Sequence, residues 1–103
     1  MTRRTADWDA GLAQDLRDPE FARGFVQAAL EEGVPLQLAL AQVIRAYGVK
    51  EYARRVRLAP PNLLRLVRPR SNPTQDSLNR ILKPLGLKLS VTPIDSRPLG
   101  HAA

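Results

Sequence analysis

The sequence predicts a mainly α fold: five helices, a helix-turn-helix at their centre and one C-terminal β-strand. Three observations carry this. Apolar residues recur at helical spacing, as in Leu36, Leu40, Val43, Ile44 and Tyr47. Prolines and glycines fall between such runs, where helices start and stop. Only Leu87-Lys88-Leu89-Ser90-Val91-Thr92 alternates with a period of two.

With 103 residues, 44% of them hydrophobic, the chain is large enough for one modest core. It divides into an N-terminal arm (1–18), a helical domain with its terminal strand (19–93) and a flexible tail (94–103). There is no cysteine, hence no disulfide framework and no thiolate metal site. No apolar run approaches the ~20 residues that span a bilayer, and the opening MTRRTADWD lacks the apolar run of a signal peptide. A cytoplasmic protein without membrane, metal or cofactor is expected. One tail histidine, no glycine-rich phosphate loop and no paired metal ligands speak against an enzyme. His101, in the tail, is read as inert.

In the arm, Trp8, Leu12 and Leu16 recur four apart and allow a turn or two of helix. Trp8 reads better as an anchor to the body than as a stacking surface for a ligand. Asp18-Pro19-Glu20 starts the first full helix with a capping side chain, a first-turn proline and an acid at the positive end of the dipole. Phe21/Ala22, Phe25/Val26 and Ala29/Leu30 form its apolar face, and Gly33 supplies a left-handed cap. Pro35 opens a strongly amphipathic scaffold helix that Gly48 closes. Lys50 to Val56 and Pro60 to Val67 are the two helices of the central motif. Thr74 to Leu82 follows, with Leu78, Ile81, Leu82 and Leu85 as its stripe, and Pro84 ends or kinks it.

The motif spans Val49–Val67, VKEYARRVRLAPPNLLRLV. Tyr52, Val56, Leu58, Leu63 and Leu66 sit at spacings that face a shared core, and Ala53 is small where two helices must approach. Arginine fills much of the remainder. The net charge is +6, unevenly placed. Residues 1–33 hold seven acids and four bases, a net −3, whereas residues 34–103 carry +9. Within 45–70, eight bases face Glu51 alone, a net +7 centred on the motif. A solvated basic surface would give the same total. Its coincidence with a helix pair suited to a DNA groove favours nucleic acid.

A lone strand leaves its backbone groups unpaired. Leu87, Leu89 and Val91 are therefore expected to form a dimerisation strand, pairing with a second copy or with another protein. A homodimer would suit a protein that reads two half-sites.

From about Leu16 to Pro93 the chain resembles the antidote (antitoxin) proteins of chromosomal addiction modules, HigA-like, with a Cro/λ-repressor-like (Xre-type) helix-turn-helix. The likeness is carried by LRDPEFARGFVQAALEEG, AQVIRAYGVKEYARRV and LAPPNLLRLVRPRSNPTQDSLNRILKPLGLKLSVTP. The last is the most specific, with its Asn-Pro, its Ser-Leu and Ile-Leu helix and its Leu-Gly-Leu-Lys-Leu. The resemblance implies a five-helix λ-repressor-like fold and a homodimer encoded beside a RelE-like ribonuclease toxin. It implies that the protein neutralises the toxin by binding it and represses the shared promoter. The chain departs from the usual pattern at four places. Arg57 stands for the turn glycine, Ala59 for a capping serine and Ser71 for a glycine before Asn-Pro, and Pro84 interrupts a helix that usually continues.

On this reading Pro61, Asn62 and Arg65 face the bases. Asn62 suits adenine and Arg65 suits guanine. Lys50, Arg68, Arg70, Ser71 and Asn72 are candidate phosphate contacts, which position without specifying sequence. Arg54, Arg55 and Arg57 cannot all face one groove, so at least one is expected to be solvated or paired within the chain. The acidic first third is either a toxin-facing surface or an ordinary charged helix face. Two other functions fit the same motif: a stand-alone phage-type repressor without a toxin partner, and a protein-interaction module on a decayed helix-turn-helix.

Overall fold

The computed structural model describes residues 11–94, and within them the chain is mainly helical. Helix α1 covers 11–15 of the described chain. It is followed by α2 (Pro19–Glu31), α3 (Leu36–Tyr47), α4 (Val49–Val56), α5 (Pro60–Leu66), α6 (Gln75–Leu82) and a 3-10 turn (Lys83–Leu85). Trp8 and His101 lie outside the described residues.

The helix boundaries follow the local chemistry. The Asp18 carboxylate accepts from the Glu20 N–H at 3.1 Å, and Pro19 occupies the first helical position of α2. At the other end Gly33 adopts φ 88°, and the Val34 N–H reaches back to the Ala29 carbonyl at 2.9 Å. That closes α2 with the left-handed residue such an ending requires. Gly48, at φ 116°, separates α3 from α4 with no intervening loop. The Thr74 hydroxyl accepts from the Ser77 N–H at 3.0 Å and caps α6. Pro84 ends α6 as an α-helix, and the chain tightens into the 3-10 turn.

Helix α3 is the scaffold. Ala39, Leu40, Ala41, Val43 and Ile44 are all buried, so neighbours surround most of its circumference. It shares one core with Ala22 and Val26 of α2, Tyr52, Ala53 and Val56 of α4, Leu63 of α5, and Ile81, Leu82 and Leu85 at the end of the domain. Leu16 joins the same core, so the last residues of the N-terminal arm belong to the body. Tyr52 ties two helices together: its hydroxyl donates to the Ile81 carbonyl at 2.6 Å, and its ring meets Tyr47 edge-on at 5.5 Å.

The expected β-strand is absent. No residue between 87 and 94 is in a strand, and the described residues contain none elsewhere. The alternation itself is real: Leu87 and Leu89 are half-buried against the core, with Lys88 and Ser90 exposed between them. A strand is made by pairing, which alternation alone cannot supply, and among the described residues no segment pairs with this one. The Asn79 side chain takes the place of a ladder partner, its Oδ1 accepting from the Leu89 N–H at 2.7 Å. Within the single chain Leu87 and Leu89 are half-buried against the core, whereas Val91 is 97% exposed.

Candidate nucleic-acid interface

The site is assembled on α4, the turn after it and α5. On α4, Tyr52, Ala53 and Val56 face inward, leaving Arg54 and Arg55 in solvent. Ala53 is almost fully buried, as a residue at a close helix approach must be. The helix ends on Arg57, whose φ of 61° and ψ of 44° are left-handed. The Leu58 N–H returns to the Ala53 carbonyl at 3.0 Å, which fixes that conformation. Arginine thus occupies a position that normally favours glycine.

Helix α5 begins with Pro60 and Pro61, after an extended Ala59 that offers no side-chain cap. Neither proline has an N–H, so this terminus presents few backbone donors to a phosphate. Leu63 and Val67 are buried and Leu66 half-buried, which fixes the rotation of the helix. Asn62 and Arg65, three apart, are left on its exposed face. They touch: an Arg65 Nη2 donates to the Asn62 Oδ1 at 3.0 Å. The amide oxygen keeps a second lone pair and the amide nitrogen both its hydrogens. The pair can therefore hold a base edge while each member steadies the other. Pro61 is exposed beside them.

Arg68, Arg70 and Asn72 are exposed in the loop after α5, and Lys50 is exposed on the first turn of α4. Ser71 is different. Its hydroxyl lies 2.7 Å from the Leu66 carbonyl and 2.8 Å from that of Arg68, so its one proton is engaged in closing α5. Gln37 of α3 donates to the Ser71 carbonyl at 3.3 Å and ties the loop to the scaffold. Ser71 holds the loop that displays its neighbours; its hydroxyl proton is not free for a phosphate.

Among the three arginines around the end of α4, Arg55 is the one paired with another described residue. Its guanidinium donates to the Tyr47 hydroxyl at 2.9 Å and lies 5.8 Å from the centre of that ring. The hydrogen bond to Tyr47 raises the Arg55 pKa from its ordinary value.

The fold also assembles a group that the sequence pattern does not point to. Arg55 and Arg57 meet Arg80 and Lys83 around a cleft of about 660 Å³, backed by Val56 and Pro84. Arg80 and Lys83 are three apart at the end of a helix, so their shared side is visible in the sequence. Their meeting with residues some 25 positions earlier is a product of the tertiary fold.

No protein-family model, curated protein or solved structure matches the chain. No helix among the described residues is long and apolar enough to cross a membrane.

Proposed function

We propose that the chain is a DNA-binding regulator of the λ-repressor-like helix-turn-helix class, with α5 as its recognition helix. The observation that carries this reading is the outward face of α5, where Asn62 and Arg65 are exposed and already in contact. Both side chains suit bidentate reading of purines in the major groove. Lys50, Arg68, Arg70 and Asn72 flank that face with groups suited to phosphates. The prolines at the entrance of α5 reduce its backbone donors, which gives these side chains a larger share of the backbone grip.

The biological role we propose is that of an antitoxin of a type II toxin-antitoxin module. It binds and neutralises a RelE-like ribonuclease toxin and represses its own operon as a homodimer in the cytoplasm. This part rests on the resemblance to addiction-module antidotes and on the acidic character of residues 1–33, which complements a basic partner. Two experiments test it. Fluorescence anisotropy on the chain's own promoter should show sequence-specific binding that Arg65→Ala relaxes at one base pair; equal loss on all sequences would remove α5 from the groove. Co-expression with the adjacent reading frame should restore growth and yield a complex. Promoter repression with neither effect would favour the stand-alone phage-type repressor.

A further inference from the structure

We propose that the cleft between the end of α4 and the turn after α6 is a binding site for a multiply charged phosphate. It is distinct from the outward face of α5 and independent of the helix-turn-helix reading. Its rim holds Arg55, Arg57, Arg80 and Lys83, and among the described residues no carboxylate lines it. The ion pairs among the described residues are Arg17–Glu51 and Arg23–Glu20, so none of the four cations is neutralised there. The ends of α4 and α6 are the obvious reason for basic residues at this place. Two helix C-termini together offset about one elementary charge, however, which leaves a surplus of about three. Like charges gathered without an acid repel one another, and a polyanion would relieve that repulsion.

The geometry favours a compact ligand. Tyr47 holds the Arg55 guanidinium through its hydroxyl, with the guanidinium carbon 5.8 Å from the ring centre. The left-handed backbone of Arg57, locked by the Leu58 N–H, sets where its side chain leaves the turn. Val56 and Pro84 give the cleft an apolar wall. About 660 Å³ is an ordinary size for a small-ligand site. Guanidinium forks pair with phosphate oxygens two at a time, and an oligophosphate packs three or four charges into this space where a carboxylate brings one. The source is either a free oligophosphate, such as that of a nucleotide, or consecutive phosphates of a nucleic-acid strand.

Calorimetric titration of the full chain with tripolyphosphate tests the site, with sulfate at matched ionic strength as reference. Saturable one-to-one binding is expected, at least tenfold tighter than for sulfate. The double variant Arg80→Gln/Lys83→Gln should weaken it tenfold or more, while Arg65→Ala leaves it within twofold. Arg80 and Lys83 are exposed, so helical circular dichroism should be unchanged in the double variant. Binding no tighter than sulfate, or undiminished in a folded double variant, would overturn the proposal. The salt dependence of duplex binding separates the two sources. A slope reduced by about two in the double variant assigns the cleft to strand phosphates, and an unchanged slope assigns it to a free oligophosphate.

Discussion

Arg57 serves two ends that oppose each other. Its backbone sits at φ 61°, where a residue with a Cβ is strained by roughly 1–2 kcal/mol. Its side chain meanwhile helps to line the basic cleft. Arg57→Gly should relieve the strain and give back part of the gain as unfolded-state entropy, a net stabilisation of about 0.5–1 kcal/mol. Urea denaturation should show a higher midpoint at unchanged slope, and the same variant should bind tripolyphosphate more weakly. Tyr52 is the reverse case, a polar group placed wholly for stability. Its buried hydroxyl is matched by the Ile81 carbonyl, so Tyr52→Phe should cost about 1–3 kcal/mol. Burial raises the Tyr52 pKa well above its ordinary value, with Arg55 pulling the other way. A phenol favoured as neutral in the folded state contributes its full stability below about pH 10, where the unfolded phenol begins to ionise. That contribution is lost as pH climbs from there towards the folded pKa. Denaturation at pH 8 and pH 11 should show a drop for the wild type that Tyr52→Phe largely abolishes.

At the scale of the element, what could be read from the sequence divides between local and non-local physics. Asp18-Pro19, Gly33, Gly48 and Thr74 each act within one turn of the backbone, and each sets the helix boundary that its chemistry predicts. Arg57 stood out only through the resemblance, at a place where the turn usually has glycine, and of the two outcomes open to it, an uncommon backbone or a different turn, it takes the left-handed backbone. Leu87-Lys88-Leu89 misled for the opposite reason. Its period-two pattern records which side chains turn inward, whereas a strand also needs a neighbour. The cleft of Arg55, Arg57, Arg80 and Lys83 was hidden because its halves meet only once α4 and α6 have packed. The capping of α5 offers a test at this same scale. Ala59 already has the extended backbone of a capping residue but no side-chain acceptor. With prolines in the first two positions, Asn62 carries the first backbone N–H that such an acceptor can reach. Ala59→Ser should therefore stabilise the domain by about 0.5–1 kcal/mol, and Thr74→Ala should cost about 1 kcal/mol by removing the cap that α6 does have. Thermal denaturation of the two variants should move in opposite directions.

The whole molecule is electrically divided, with −3 on residues 1–33 and +9 on residues 34–103. The proposed homodimer can be tested at the end of the domain, where the segment after Leu89 leaves the core. Leu87 and Leu89 are held against the core, and the Leu89 N–H is already engaged by Asn79. Residues beyond them are not: Val91 is 97% exposed and Ile94 fully so. Two exposed β-branched side chains at the end of the described chain would be covered if a second copy ran alongside. Pairing must then be made by 90–94, with Leu87 and Leu89 acting as its anchor. Val91→Lys places a charge on the segment while leaving the core untouched, so the monomer should keep its stability. Sedimentation equilibrium should show wild-type dimers giving way to monomers in the variant. Duplex binding should weaken most on an operator with two half-sites and little on a single half-site, because only the paired copy is lost. Equal dimerisation of both proteins would move the interface off this segment, and the exposed Phe21, Leu30 and Leu38 of α2 and α3 would be the next surface to substitute.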